Sequence, residues 1–222
     1  MLTMPNNTPE TMTEERVSNS KPKHAPRQVN PVLEKLFELY PKLFGAKFLP
    51  LKLGIFHDLM ARHPEVFEKD ALKLAMGQHA RSSRYLECVA AGLYRHDLEG
   101  AAVESVSPEH VHHAILEVFR RRQARSKDDL RPRLTMQLKQ AIESSGLTLD
   151  DYAALVRVQD EATNALLIEA MAELKAEAAK REALMVTFTA SGKTEAEFAD
   201  MYGMDLKLVS RVLARVRAEK PL

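Results

Sequence analysis

From Asn30 onward, apolar residues recur at the spacing of one helix face. The segment PVLEKLFELY places five of them on one side of a helix, at Val32, Leu33, Leu36, Phe37 and Tyr40. Pro31 suits the first turn of this helix, and Pro41 is expected to end it. Similar apolar faces predict further helices in FHDLMARH, KDALKLAMGQHA and RYLECVAAG. The first third of the folded chain is therefore predicted to be mainly helical.

Two short stretches predict β-structure between these helices. The segment KFLPLKLGIF alternates in polarity and holds Pro50 and Gly54, which indicates a short strand followed by a turn. The segment LYRHDLEGAAVESV predicts a β-hairpin that turns at Glu99 and Gly100. The next helix, PEHVHHAILEVFRRRQAR, is expected to begin with Ser107 as its capping residue.

The C-terminal part is predicted to be helical throughout and contains an internal repeat. SGLTLDDYA and SGKTEAEFA share the pattern S-G-x-T-x-x-[DE]-[YF]-A. In both copies the glycine is expected to end one helix, and Thr148 or Thr194 to cap the next. Asp151 and Glu197 occupy the third helical position, where a carboxylate complements the cap. Two helix-turn-helix units joined by EAMAELKAEAAKREA are therefore predicted.

These patterns divide the chain into four parts. Residues 1–29 are rich in Pro, Asn, Thr and Ser, and are predicted to form a disordered N-terminal tail. Residues 30–121 are predicted to form a mostly α domain of the α+β type, with short β-hairpins. Residues 122–133 are predicted to form a basic linker, and residues 134–222 an all-α C-terminal region that contains the repeat.

Positive charge is concentrated in one part of the chain. The net charge of the 222 residues is only +1. Residues 30–121 are balanced, with 12 basic and 12 acidic residues, whereas residues 134–222 carry 11 basic and 14 acidic ones. The segment RRRQARSKDDLRPR at residues 120–133 contains most of the local excess. Any polyanion partner is therefore expected to meet a local surface.

Several classes of protein chemistry are not predicted. Cys88 is the only cysteine, so an intrachain disulfide and a cysteine-based metal site are excluded. His110, His112 and His113 lie on one predicted helix without an H-E-x-x-H pattern, so no metal site is predicted. Because the chain also lacks a nucleotide-binding motif and a triad-like pattern, we expect no cofactor and no enzymatic activity.

The same pattern of apolar residues argues against a membrane location. No apolar run approaches the roughly 18–20 residues that a membrane helix needs. The first residues, MLTMPNNTPETMTEERVSN, lack the basic start and apolar stretch of a signal peptide. A cytoplasmic protein without a membrane partner is therefore expected.

The segment HARSSRYLECVAAGLYRHDL contains the most suggestive cluster of polar residues. Ser82 or Ser83 is placed to cap a helix, and a helix start presents unpaired N–H groups that bind anions. Arginines and tyrosines surround this start. Simpler roles remain open at each position, because such a serine is often only a cap. Tyr85 could be a packing residue, and Arg95 could form a cross-strand charge pair with Asp97.

Five separated motifs resemble the ProQ/FinO family of bacterial RNA-binding proteins and RNA chaperones. In chain order they are YPKLF, PLKLGIFHDL, SSRYL, RHDLEG and VSPEHVHHA, and they lie within residues 33–121. The resemblance implies a small, mostly helical domain with short hairpins. It also implies a concave basic face that binds a hairpin RNA with a single-stranded 3′ tail, such as an intrinsic transcription terminator.

The resemblance assigns roles to residues around the predicted helix start. Ser82 and Ser83 begin the helix whose N–H groups would bind phosphates of the 3′ tail. Arg84 and Tyr85 lie in its first turn, and in similar proteins the tyrosine contacts the RNA end. Arg95 completes this pocket in the family pattern.

Further basic positions are implied to face the RNA duplex. Four residues match basic family positions: Lys52, Arg62, Lys69 and Lys73. The chain departs from the pattern at Gly77, where an arginine is frequent, and at His79, where an aromatic residue is common. Either these departures lower the affinity for the duplex, or basic residues outside those positions compensate: Arg81, and as auxiliary contacts Arg120, Arg121, Arg122 and Arg125.

The sequence thus predicts an RNA chaperone that stabilises small regulatory RNAs and assists RNA pairing. Its expected partners are structured small RNAs and the 3′ ends of mRNAs. One alternative is a DNA-binding regulator, because FADMYGMDLKLVSRVLARVRA also has helix-turn-helix spacing. Its second helix carries four basic residues: Lys207, Arg211, Arg215 and Arg217. The other alternative is an adaptor whose C-terminal helices bind a protein partner.

Overall fold

The computed structural model describes residues 30–156 and 161–219. These residues form eleven α-helices and one two-stranded sheet. The first part contains α1 (Pro31–Leu39), α2 (Pro41–Phe44), α3 (Ile55–Arg62), α4 (Lys69–Ala80), α5 (Ser83–Ala90), β1 (Arg95–His96), β2 (Ala102–Glu104) and α6 (Pro108–Gln123). The predicted tail at residues 1–29 lies outside the described residues.

The first six helices enclose one hydrophobic core. Fully buried leucines come from four of these helices, at Leu36, Leu43, Leu59 and Leu72, and Ile115 of α6 packs with them. These side chains are the apolar face that the helical spacing predicts, and their removal from water is the main favourable term in folding. The predicted mostly helical fold is therefore confirmed.

The β-structure is shorter than the sequence predicts. The hairpin forms as expected, with Arg95 opposite Glu104 and the turn at Gly100 in the left-handed region. The strand predicted before Gly54 is reduced to a single parallel bridge between Leu51 and His96. Among the described residues there is thus one hairpin, with a short extended segment pairing beside it.

Helix ends follow the capping signals with two exceptions. Asn30 and Ser82 cap α1 and α5 through their side chains. The hydroxyl of Ser107 does not cap α6; it hydrogen-bonds to His110 Nδ1 instead, at 2.9 Å. Pro41 does not simply end α1, since it also begins the four-residue helix α2. In that position proline supplies the preset φ of a first helical turn.

The C-terminal part contains five helices. They are α7 (Arg131–Ser145), α8 (Leu149–Leu155), α9 (Glu161–Ser191), α10 (Glu195–Met201) and α11 (Leu206–Glu219). Gly146 and Gly192 have φ of 67° and 62° and follow α7 and α9, as the repeat predicts. Thr148 and Thr194 cap the next helix in each copy, and the second copy forms a complete capping box with Glu197.

Helix α7 packs directly on the first six helices. Its buried residues Leu134 and Leu138, together with Ala170 of α9, belong to the same hydrophobic core as Leu36. On another side, Tyr152 of α8 is fully buried and lies 3.2 Å from His112 of α6 in a hydrogen bond. The segment predicted as a linker therefore joins helices that share a core, and the division at residues 122–133 stays a prediction.

The last three helices form a small unit with its own core. The buried residues Phe198, Val209 and Leu213 pack against the C-terminal part of α9, where Phe188 lies edge-on to Phe198. Gly203, with φ of 63°, makes the turn between α10 and α11. In the part of the chain that the structure describes, no helix is both long and apolar enough to span a bilayer.

Candidate nucleic-acid interface

The N-terminus of α5 presents backbone donors on the surface of the domain. Ser82 Oγ accepts a hydrogen bond from Tyr85 N at 3.2 Å, and Ser82 O accepts one from Leu86 N. The N–H groups of Ser83 and Arg84 have no acceptor among the described residues. The geometry is that of a helix start able to bind an anion, because such N–H groups and the helix dipole both attract negative charge.

Arginines of α6 lie against this helix start. Arg121 donates a hydrogen bond to Arg81 O at 2.7 Å and another to Ser83 Oγ at 3.3 Å. Arg122 forms an ion pair with Glu87 of α5 at 2.7 Å. A groove of about 340 Å³ runs between these residues, and Arg125 lines its far side. The structure therefore brings three of the four predicted auxiliary arginines to the predicted helix start, whereas Arg120 lies 3.9 Å from Glu117 and does not line the groove.

Tyr85 and Arg95, which the resemblance implies as RNA contacts, are buried. Only 9% of Tyr85 and 8% of Arg95 is exposed. The phenol oxygen of Tyr85 accepts from Leu51 N at 3.1 Å, and the Arg95 guanidinium donates to Leu51 O at 3.0 Å and to His110 Nδ1 at 3.1 Å. These bonds fix the segment around Leu51 against α5. Burial also raises the pKa of the Tyr85 hydroxyl, which stays protonated at neutral pH.

The pairing of Arg95 with Asp97 that the sequence left open is not formed. The nearest carboxylate to Arg95 is that of Glu104, at 3.9 Å across the hairpin. Asp97 Oδ1 accepts from the backbone N–H groups of Glu99 and Ala101 and so closes the hairpin turn. Of the two simpler roles, the packing of Tyr85 is seen, whereas Arg95 is a hydrogen-bonded residue inside the domain and does not pair with Asp97.

The four basic residues implied to face duplex RNA fall into two pairs. Lys69 and Lys73 are exposed one turn apart on α4, and within residues 30–156 and 161–219 neither forms an ion pair. Lys52 pairs with Asp58 at 2.9 Å, and Arg62 pairs with Glu99. These acidic partners raise the pKa of Lys52 and of Arg62. Since exposed ion pairs contribute little free energy, Lys52 and Arg62 can exchange their partners for phosphates.

Position 79 shows what sequence reasoning missed. His79 is buried against three aromatic rings, with centroids 4.5 to 4.9 Å away, and burial lowers its pKa to about 4. The imidazole is therefore neutral and replaces the family's aromatic residue as a packing group. The guanidinium of Arg84 lies 4.6 Å from the centre of the Phe48 ring. Only the aromatic residues of KFLPLKLGIF and LYPKLF hinted at this cluster.

The histidines of α6 have structural partners. His110 accepts from Arg95, and His112 is bonded to Tyr152. His113 is exposed. No group of three or more potential ligands is placed to hold a metal ion in the described ranges.

The predicted recognition helix α11 has fewer available cations than its sequence indicates. Arg215 pairs with Glu143 and Glu219, and Arg217 pairs with Glu195. Lys207 and Arg211 remain exposed without an ion pair in the described part of the chain. Helix α10 places Glu195 beside α11, so this unit is less suited to DNA than its spacing suggests.

Taken together, the start of α5 combines available N–H groups with neighbouring guanidiniums, a combination whose chemistry suits a phosphate. Residues 26–131 match the model of the ProQ/FINO family. These residues are therefore a ProQ/FinO family domain.

Curated relatives match over the same part of the chain. The chain is 39% identical over 89 residues to the RNA chaperone ProQ of Shewanella piezotolerans, a match that covers 38% of this chain and 42% of the relative. The RNA chaperone ProQ of Idiomarina loihiensis is 39% identical over 87 residues, covering 37% and 42%. The chain thus matches less than half the length of these relatives.

A solved structure is also similar. It is a FinO-like RNA chaperone from Neisseria meningitidis, with 30% sequence identity and a TM-score of 0.35, covering 38% of this chain and 86% of that one.

Proposed function

We propose that this protein is an RNA chaperone that binds structured RNAs at a single-stranded 3′ end. The observation that carries the proposal is the start of α5, where the N–H groups of Ser83 and Arg84 lie beside the guanidinium of Arg121. Hydrogen bonds from such donors to phosphate are charge-assisted and stronger than neutral ones. The relatives named RNA chaperone ProQ support RNA as the anion that this surface binds.

In this proposal the RNA lies across two surfaces. Phosphates of the 3′ tail bind at the α5 start and continue along Arg81, Arg121 and Arg125. The stem lies against Lys69 and Lys73 of α4. Recognition is by shape, because the deep groove of A-form RNA does not admit side chains that read the bases. Tyr85 and Arg95 hold the Leu51 segment against α5 and so position the site.

The chaperone role follows from this mode of binding. A protein that holds the stem and the 3′ end protects a small regulatory RNA and brings it to a complementary strand. This role requires no covalent chemistry, in agreement with relatives that are named for a chaperone activity. The C-terminal helices are proposed to add a protein partner or a nucleic-acid contact to the same complex.

Blocking the RNA 3′ end is expected to weaken binding by about 10- to 100-fold, the effect of losing charge-assisted hydrogen bonds. In the proposed complex the N–H groups of Ser83 and Arg84 already bind a phosphate of the tail, and a 3′-terminal phosphate would add a second negative group beside it. This phosphate would lose part of its hydration without gaining new hydrogen-bond donors from the protein. The measurement is a gel-shift titration of one terminator hairpin carrying either a 3′-hydroxyl or a 3′-phosphate.

Comparing the two hairpins with random duplex DNA distinguishes the proposed function from DNA binding. Equal affinity for both hairpin ends, together with equal affinity for random duplex DNA, would contradict the proposal and favour a DNA-binding role for α10 and α11. A chain variant with Lys207→Ala and Arg211→Ala serves as control, since it removes the two cations of α11 that form no ion pair with the described residues. It is expected to leave terminator binding unchanged.

Removing two arginines from the proposed phosphate path should change the salt dependence of binding. Each lost phosphate contact is expected to reduce the slope of log K against log salt by about 0.7 to 0.9. The double variant Arg81→Gln with Arg125→Gln should therefore flatten the slope by about 1.4 to 1.8. Titrations at several salt concentrations measure it, with Lys175→Gln and Lys180→Gln on α9 as the charge-matched control. An identical slope in both double variants would remove these arginines from the interface.

A further inference from the structure

An aromatic groove lies beside the start of α5, and none of the α6 arginines lines it. Its volume is about 400 Å³, within the range of small-molecule sites. Helix α1, the loop after α2, the end of α4 and the start of α5 form its walls. The lining side chains that matter here are Leu33, Phe37, Phe44, Phe48, His79 and Arg84.

The groove exposes aromatic surface that the fold itself does not use. Phe37 is 50% exposed, although the rest of its helix face packs into the core. The rings of Phe44 and Phe48 pack on His79, whose Nε2 has no hydrogen-bond partner among the described residues. Because burial keeps His79 uncharged, the floor is a neutral aromatic surface. Such a surface suits a flat, uncharged ring.

Charge is distributed unequally around the rim. Arg84 lies on the side of the α5 start, next to its own backbone N–H and that of Ser83. Glu34 and Glu38 lie on the side of α1, and Glu38 also pairs with Lys35 at 2.9 Å. A bound molecule is therefore expected to keep its negative group at the α5 start and to insert a neutral ring between the two sides.

We propose that this groove binds one unpaired nucleobase of the RNA tail, whose phosphate is held at the α5 start. The base stacks on the Phe37 ring, with the Arg84 guanidinium at its edge. Stacking on aromatic side chains tolerates any base, so the groove adds affinity without a strict sequence requirement. This inference rests on the proposed function, and it assigns the base-binding part of the same site.

Removing the exposed ring tests the proposal. Phe37→Ala is expected to weaken binding of the terminator hairpin roughly tenfold, the effect of losing one base–aromatic stack. Its half-exposed position leaves the core intact, and circular dichroism during heating confirms that the variant folds. Ile168→Ala on α9 removes an apolar side chain that is 66% exposed and does not line the groove, and this control is expected to bind like the unchanged protein.

An abasic scan of the tail identifies the partner of Phe37. Replacing one tail nucleotide at a time by an abasic nucleotide should weaken binding to the unchanged protein at one position. At that position the abasic RNA should bind Phe37→Ala no more weakly than the intact RNA does, because the two changes remove the same contact. The proposal would be overturned if an abasic nucleotide weakened binding equally at every position. It would also be overturned if the losses in binding free energy from the abasic nucleotide and from Phe37→Ala were additive.

A fluorescent base reports occupancy independently of affinity. At the position found in the scan, 2-aminopurine is expected to lose fluorescence on binding the unchanged protein and to keep it with Phe37→Ala. Ile168→Ala, which leaves the groove lining intact, should preserve the loss of fluorescence. Unchanged fluorescence with both proteins would overturn the proposal and leave the groove to another occupant, such as residues 1–29 or a partner peptide.

The outcomes separate the two proposals. Dependence on the 3′-hydroxyl without any abasic effect would refute the base groove and leave the proposed function standing. Loss of the 3′-end dependence itself would refute the proposed function, whatever the groove binds.

Discussion

Tyr85→Ala is expected to lower the free energy of unfolding by about 3–5 kcal/mol, the usual cost of removing a buried aromatic side chain. The ring is 91% covered, lies against His79 and supplies the acceptor for Leu51 N. Urea denaturation followed by circular dichroism measures the change. A loss of RNA binding in this variant would therefore reflect a damaged site, not a lost contact.

Tyr85→Phe separates packing from hydrogen bonding. It keeps the ring but leaves the buried Leu51 N–H without an acceptor, at an expected cost of about 1–3 kcal/mol. Tyr94→Ala is the control, because Tyr94 is 59% exposed and its loss should change stability by less than about 0.5 kcal/mol. Full stability of Tyr85→Ala would contradict the buried position. If Tyr85→Phe keeps the full stability of the unchanged protein but binds RNA much more weakly, the hydroxyl contacts the RNA and does not serve the Leu51 N–H.

Acidification is expected to destabilise the protein strongly between pH 6.5 and pH 4. Burial lowers the pKa of His79 and of His112 to about 4, whereas an unfolded histidine titrates near 6.5. In this window the unfolded chain binds more protons than the folded one, so stability rises with pH and is fully present above pH 6.5. At pH 4.5 each histidine is expected to cost roughly 2–3 kcal/mol of the stability seen at pH 7.

Single substitutions measure how much each histidine contributes to this pH dependence of stability. His79→Phe cannot be protonated and keeps the stacked ring, so it should remove the part of the slope that His79 contributes. His57→Asn replaces an exposed histidine and should retain the full slope. Urea denaturation of each variant at pH 7, 5.5 and 4.5 gives the comparison. A slope in His79→Phe equal to that of the unchanged protein would show that the buried imidazole is protonated in the folded state.

Local signals in the sequence were sufficient for most of the helices. Capping residues such as Asn30, Ser82 and Thr194 bond to backbone N–H groups two or three residues further along the chain. The start of each of these helices is therefore indicated by the local sequence. The β-hairpin is predicted by a local signal too, because Gly100 makes its turn. The strand predicted before Gly54 was wrong in extent, because a strand requires a partner and only His96 supplies one.

The candidate site was less predictable, because its properties depend on contacts between distant residues. The sequence places Arg121 in a basic run, but its bond to Ser83 spans 38 positions. Likewise, Arg215 and Glu143 pair over 72 positions, which no local pattern indicates. The family resemblance pointed to the residues of the candidate site, yet it could not distinguish an exposed side chain from a buried one such as Arg95.

The core that α7 shares with the preceding helices bears on how fragments of this protein behave. A piece of the chain that stopped at residue 131, where the family match ends, would lack Leu134, Leu138 and Ala170. The apolar side of α6 that they cover would then face water and invite self-association. In this chain the C-terminal helices therefore complete the hydrophobic core of the ProQ/FinO domain, and the folded unit extends beyond residue 131.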